Sequence, residues 1–276
     1  MAAGAKLDKR VVDFVQRPER TKSMSESVSV AGLKIFSDGP NALLKLIVEA
    51  AQSGTGLSVH FISANSVWRA ESDPAFRKLL LAGGLLVPDS RWVELCSRLS
   101  GPPAVQTRGP DVFTQTLAKT QSSVIKHFFI GPNREVNSAV AEAVHQRFPA
   151  LSTGAFLEAP LAPFSGVDLD SLASSLQSDE ATIVWLGIGT PAQDIMAVEI
   201  CKRTNCVVMA VGAAFEFFAG LKPEAPRIFS RLGLEWLFRL VSEPQRLWRR
   251  YLIGSLVFLW AVVKYRLPRR RTTKPV

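Results

Sequence analysis

Short, dense apolar runs alternate along the chain with longer stretches whose apolar residues recur every three to four positions. The runs LSVHFIS (57–63), GLLVP (84–88), KHFFIG (126–131), TIVWLGIG (182–189) and VVMAVG (207–212) each end in a turn-like or polar residue. Runs of this length without polar alternation predict strands buried on both faces of a parallel sheet. Between them lie helical patterns at NALLKLIVEAAQS (41–53), NREVNSAVAEAVHQRF (133–148) and PAQDIMAVEICKRT (191–204). Asn133 is placed as an N-cap, and Pro191 falls in a first turn, where its missing N–H costs nothing. Strands alternating with helices predict an α/β fold, a Rossmann-like sheet flanked by helices.

The pattern sets three segments. Residues 1–27 lack a sustained apolar period and read as a flexible leader without the apolar core of a secretory signal. Residues 28–232 form the α/β core, and residues 233–276 form a C-terminal helical appendage, basic and apolar, that associates with a membrane. Charge supports the last division. The net charge is +9, and the segment from Arg239 to Val276 holds ten Lys/Arg against one acid, Glu243, so the whole excess falls there. A nucleic-acid-binding surface is more often spread over the folded domain; a basic tail beside apolar residues favours an anionic membrane surface or a lipid phosphate. The longest uncharged apolar run, Tyr251 to Val263, is 13 residues, short of the roughly 20 needed to span a bilayer. It predicts an interfacial segment, or a helix packed on another subunit of a homo-oligomer. Cys96, Cys201 and Cys206 lack metal-ligand spacing, and His60, His127 and His145 are far apart, which predicts core packing and no zinc site.

In parallel α/β sheets, ligands bind beyond the carboxyl ends of the strands. Four segments sit there: Ser63 and Asn65; Asp89; Gly187, Gly189, Thr190 and Gln193; and Gly212 with Glu216. Asp89 has two readings. On pattern alone the commoner is an N-cap for a helix from Arg91; the other is a general base set by a rigid strand. The glycine turn offers N–H groups to a phosphate, but Ala192 breaks the GxGxxG pattern and no Walker lysine follows, which argues against a dinucleotide enzyme. Asp168 and Asp170 have the DxD spacing of a metal site but open an apparent helix with no strand before it, so they read as a solvated helix start. In GLEWLFRLVSEPQRLWRRYL (233–252), Ser242 to Gln245 fits a capping box with Pro244 in the first turn. Arg246, Arg249 and Arg250 then share one helix face, with Arg239 on the helix before. Such a cluster is either a solvated basic face or a site for a diphosphate, whose oxygens match forked guanidinium donors.

Several motifs in order resemble the WecG/TagA/CpsF family of bacterial glycosyltransferases: SANS (63–66), VPDS (87–90), RGPDVF (108–113), GIGTPAQD (187–194), VGAAFEFFAG (211–220) and the arginine segment. The resemblance implies transfer from a UDP-sugar donor to a saccharide on a polyprenyl diphosphate, in exopolysaccharide or surface polysaccharide synthesis. It implies inversion at the anomeric carbon, no required metal or cofactor, and work at the cytoplasmic face of the membrane, with the C-terminal segment docking there. By position, Asp89 would deprotonate the acceptor hydroxyl. Ser63, Asn65, Asp111 and Gln193 would hold donor or acceptor, and Arg239, Arg246 and Arg249 would stabilise the leaving UDP. Relatives transfer N-acetylmannosamine, its uronic acid, or glucose. The chain departs from the pattern at Ser90, Asp194 and Glu216, and more sharply at Glu224, where the family usually has arginine. Lys222 and Arg227 are the nearest replacement cations. The charge reversal leaves a second reading open, a non-catalytic membrane-associated pseudo-transferase adaptor.

Overall fold

The computed structural model describes residues 26–226, 228, 229 and 232–266, the side chains of Arg246 and Arg250 excepted. It opens with a hairpin, β1 (Ser27–Val30) and β2 (Leu33–Phe36), joined by Ala31 and Gly32, both at positive φ (51° and 73°). A two-residue turn with both residues left-handed matches the twist of the strands it joins. The six strands that follow are β3 (Leu57–Ile62), β4 (Leu85–Pro88), β5 (His127–Gly131), β6 (Thr153–Glu158), β7 (Ile183–Leu186) and β8 (Val207–Ala210). They form one parallel sheet in the order β4-β3-β8-β7-β5-β6. The predicted α/β sheet flanked by helices is the observed fold. All five predicted strands are present; β6 and the hairpin are additions.

Two helical layers cover the sheet. On one face α1 (Gly39–Ser53), α5 (Gly109–Thr120), α6 (Arg134–Arg147) and α9 (Ala214–Phe218) bury Leu43, Ile47, Phe113, Val140 and Phe215 against Val59, Phe129, Trp185 and Met209. Phe113 meets Trp185 edge-on, with ring centroids 4.8 Å apart. On the other, α7 (Gly166–Ser178) and α8 (Ala192–Arg203) bury Leu169, Leu176, Met196 and Ile200 against Phe128, Val184 and Val208. Neighbours such as Phe128 and Phe129 thus serve opposite layers, as the two-residue period of a strand requires. At the foot of β5, His127 is sealed between Trp185, whose Nε1–H donates to Nδ1 at 3.0 Å, and the Thr120 hydroxyl at 2.9 Å from Nε2. Burial lowers its pKa to about 3, so the ring is neutral and structural.

A third apolar cluster lies at the β4 edge. There the hairpin meets α2 (Ala64–Ser72), α3 (Pro74–Ala82), α4 (Arg91–Ser97) and the long final helix α11 (Pro244–Arg266), through Val30, Ile35, Val67, Phe76, Val93, Phe258, Ala261 and Val262. Gly254 lets α11 approach α2: a Cβ there would sit 3.3 Å from the Trp68 ring. Lys264 bonds Glu71 at 2.7 Å, and the Arg77 guanidinium lies 4.2 Å from the centre of the Tyr265 ring. The apolar run 251–263 therefore covers its own core on one side. The other side exposes Leu252, Leu256, Leu259 and Val263, a stripe at spacings of four, three and four. Among the described residues no helix is long and apolar enough to cross a membrane.

Two local expectations turn out differently. Ser242 does not cap α11. Only Glu243 separates α10 (Glu235–Ser242) from α11, so Ser242 still belongs to a helical turn, and its hydroxyl donates to the Phe238 carbonyl at 3.0 Å. Asp89 does not cap α4; that role falls to Ser90, whose Oγ accepts the Val93 N–H at 3.4 Å. The Asp168–Asp170 segment is a helix start as read: Ser165 caps it, and Asp170 pairs with Arg203 at 2.7 Å. Residues 1–25 of the expected leader lie outside the described residues.

Candidate active site

β3 and β4 are adjacent, so their carboxyl ends open into one cleft. At the end of β3, Ser63 begins α2 in a reciprocal capping box with Ser66, its N–H donating to Ser66 Oγ at 3.2 Å. One residue further, buried Asn65 lines the cleft with its Oδ1 lacking a partner among the described residues. At the end of β4, Pro88 fixes the backbone, and the Asp89 N–H donates to the Ile62 carbonyl at 3.0 Å, tying the two strand ends together. Asp89 Oδ1 accepts the Gly109 N–H at 3.0 Å, at the N-terminus of α5, and its carbonyl takes Gln106 Nε2 at 3.0 Å. Burial pushes the Asp89 pKa up, and the Glu235 charge adds to it; the Gly109 N–H, Arg239 and Arg108 oppose without cancelling it. A carboxylate of raised proton affinity at a cleft has the property a general base needs at neutral pH.

The C-terminal helices roof this cleft. Trp92 Nε1–H donates to the Gly233 carbonyl at 3.1 Å, and Gly233 at φ 73° turns the chain into α10. From there Glu235, Trp236 and Arg239, with Tyr251 and Ser255 of α11, face Asp89 across the opening. Arg239 donates from Nη2 to Glu235 Oε1 at 2.7 Å, its guanidinium lies 4.9 Å from the Phe217 ring centre, and its buried Nε has no partner among the described residues. Arg108, just before α5, reaches three carboxylates: Glu224 at 2.6 Å, Asp111 at 3.4 Å and Glu235 at 3.5 Å. Burial lowers its pKa, but Glu235, Glu224 and Asp111 outweigh that and hold it above the ordinary arginine value. Glu224, the position of the charge reversal, is thus paired with a buried-side cation and does not line the cleft. Lys222 pairs with Glu216 at 2.8 Å and Glu243 at 3.5 Å; Arg227 lies outside the described residues.

Of the residues singled out in the sequence, Ser63, Asn65, Asp89 and Arg239 come together in this cleft. Asp111 stands one residue layer away, in contact with Arg108. Gln193 lies under the glycine turn: its Oε1 accepts the Gly189 N–H at 2.9 Å and its Nε2 donates to the Ala210 carbonyl at 2.9 Å. That N–H, offered by the sequence to a phosphate, is already satisfied within the chain. Arg249 is exposed, stacked 5.1 Å from the ring of its own neighbour Trp248, and the Arg246 side chain falls outside the described residues. The sequence reasoning passed over Gln106, Arg108, Glu235, Trp236 and Tyr251. Arg108 lies in RGPDVF, and Glu235, Trp236 and Tyr251 in GLEWLFRLVSEPQRLWRRYL; for Arg108, the acid three residues on, Asp111, was the available signal. Among the described residues no group of three or more His, Cys, Asp or Glu side chains is arranged to hold a metal.

A buried carboxylate at the carboxyl edge of a parallel sheet, faced by the Arg239 guanidinium from a C-terminal roof, has the arrangement of an α/β site for group transfer to or from anionic substrates. The chain belongs to the glycosyl transferase WecG/TagA/CpsF family, whose model matches residues 28–272. It is also similar, at 27% identity over 211 residues, to the N-acetylglucosaminyldiphosphoundecaprenol N-acetyl-beta-D-mannosaminyltransferase of Bacillus spizizenii, covering 75% of this chain and 78% of that protein.

Proposed function

We propose that this chain is an inverting hexosyltransferase that moves a sugar from a UDP-sugar to a saccharide carried on a polyprenyl diphosphate, in cell-surface or exopolysaccharide synthesis. The observation that carries the reading is Asp89, a carboxylate of raised proton affinity at the strand-end cleft with Arg239 opposite. In the reaction the acceptor hydroxyl oxygen attacks the anomeric carbon and its proton passes to Asp89. The bond from that carbon to the β-phosphate oxygen breaks, and UDP leaves with the electron pair. The Arg239 Nε–H, without a partner among the described residues, offers a donor to a departing phosphate oxygen, and Arg246 and Arg249 on α11 would add positive charge as UDP leaves. Asn65, whose amide oxygen lacks a partner among the described residues, and Ser63 hold sugar hydroxyls. Asp111 and Gln193 act indirectly, Asp111 through Arg108 and Gln193 by fixing the turn after β7.

The acceptor is lipid-linked, and the exposed stripe Leu252, Leu256, Leu259 and Val263 gives the protein an apolar face. Lys264, Arg266 and the run Arg269 to Arg271 follow it in sequence. An amphipathic helix flanked by basic residues partitions into an anionic interface, which fits peripheral attachment at the cytoplasmic face of the membrane. The test is UDP release by the membrane-associated protein with a panel of UDP-sugars and lipid-diphosphate acceptors, comparing wild type with Asp89→Asn. Release from one donor, lost in the variant, supports the reading and names the sugar. Release unchanged by the variant removes Asp89 as base. Silence with competent acceptors leaves the non-catalytic adaptor.

A further inference from the structure

Arg108 and Arg239 both act on Asp89 through their charge, yet among the described residues neither forms an ion pair with it. Arg239 Nη2 donates instead to Glu235 Oε1 at 2.7 Å, while Arg108 Nη2 is held chiefly by Glu224 Oε1 at 2.6 Å and meets Glu235 Oε1 only at 3.5 Å. Glu235 opens α10 and lines the cleft beside Asp89. Among the described residues, the charged and titratable groups around it come from several elements of the cleft. They are Asp89 after β4, Arg91 on α4 (paired with Glu94), Arg108 and Asp111 at α5, Glu224 on the preceding loop, Arg239 on α10, and Tyr251 on α11. This placement matters because an aspartate locked to a guanidinium is a poor base: the ion pair stabilises the charged form it must give up.

We propose that Glu235 is a positioning residue for transfer. By taking Arg239 Nη2 on its carboxylate, it keeps that guanidinium off Asp89, and its longer contact with Arg108 ties the C-terminal roof to the α5 side of the cleft. The inference rests on Asp89 as the base of the proposed reaction. In Glu235→Gln a negative charge leaves and Arg239 loses its carboxylate partner, so it turns toward Asp89 across the cleft, while Arg108 stays with Glu224 and Asp111. The base then deprotonates at lower pH and reacts more slowly once deprotonated. Glu235→Asp keeps the charge at the same place and restores most of the behaviour.

Two measurements separate this inference from the function it rests on. The first follows the Asp89 carboxyl by NMR in protein labelled with 13C at the aspartate side chain, assigned with Asp89→Asn. The second follows the pH profile of UDP release. The titration midpoint of Asp89 is expected to fall by about one pH unit in Glu235→Gln, to return in Glu235→Asp, and to move less than half as far in Glu224→Gln. The acidic limb of the rate profile is expected to move with it. An unmoved midpoint in folded Glu235→Gln, an equal shift in Glu224→Gln, or a limb that stays while the midpoint moves overturns the proposal. If Glu235→Gln does not fold, Arg239→Gln carries the test: the Asp89 midpoint rises by less than about one unit, and a larger rise, the mark of a direct pair with Asp89, overturns it. A midpoint that falls as expected in a protein that transfers from no donor leaves Glu235 in its role beside Asp89 and removes the transferase reading instead.

Discussion

Two residues apart on α11, Phe258 and Leu256 face opposite ways: Phe258 is 2% exposed in the core, and Leu256 is 70% exposed. Phe258→Ala removes a side chain packed in the cluster with the hairpin and α2, a change that costs about 3–5 kcal/mol when the cavity cannot collapse. In a chain of this size each kcal/mol moves the melting temperature by roughly 2–4 °C, so the expected drop is roughly 6–20 °C. Leu256→Ala empties no core and is expected to stay within about 0.5 kcal/mol of wild type. On the proposed peripheral attachment, its effect falls on membrane binding. Three carbons leave the exposed stripe at about 0.8 kcal/mol each, an expected loss of about 2 kcal/mol or roughly 30-fold in partition. Calorimetry gives the first quantity and co-sedimentation with vesicles of mixed zwitterionic and anionic phospholipid gives the second. Equal melting temperatures in the two variants would refute the docking of α11 on the core. Unchanged sedimentation for Leu256→Ala, with a fall in molecular mass in solution, would make the exposed stripe a homo-oligomer contact and not a lipid one.

Asp89→Asn is expected to reduce UDP release by about 10²–10⁴-fold. Because the folded Asp89 pKa lies above its unfolded value of 3.8, the folded state binds more protons, and stability is lost as pH rises from the unfolded to the folded pKa. The variant is therefore expected to melt higher than wild type at pH 7 and not at pH 3, as thermal scans across pH will read. His127 has the opposite sign: its pKa falls from 6.5 unfolded to about 3 folded, so its contribution is full above 6.5 and is lost as pH falls toward 3. His127→Gln should flatten that part of the stability profile. Gln193→Ala leaves the Gly189 N–H and the Ala210 carbonyl without their partner, and denaturant melts should show a loss of about 1–3 kcal/mol.

The sheet was legible because strands buried on both faces carry unbroken apolar runs. The run 182–189 overshot β7, which ends at Leu186, because the residues after it remain apolar while the glycines already turn the chain. Edge strand β6 escaped because TGAFLE is only partly buried and opens with Thr and Gly, and the hairpin escaped because its turn is Ala-Gly and lacks the usual Asn-Gly or Asp-Gly signal. Asp89 was found from its place after a strand. Its dismissal as a cap could be settled only by geometry, since Ser90 next to it is an equally good cap by sequence. Gln193 shows the reverse limit: a polar residue at a helix start looks like a ligand group until both ends of its amide are seen bonded to backbone. The Arg108 pairings with Glu224 and Glu235 join residues more than 100 positions apart, beyond what periodicity can register.

The cluster that joins the first described hairpin to the last described helix bears on how the protein is made. β1 and β2 leave the ribosome early with Val30, Leu33 and Ile35 needing cover, while Phe258 and Val262 follow roughly 10–40 s later at ordinary elongation rates. The sheet and Asp89 are complete before then, but Glu235, Arg239 and Tyr251 arrive only with the closing helices. On the proposed function, catalytic competence is therefore the last property the nascent chain acquires, and a frameshift beyond α9 would leave the sheet and its flanking helices encoded while removing the roof of the site.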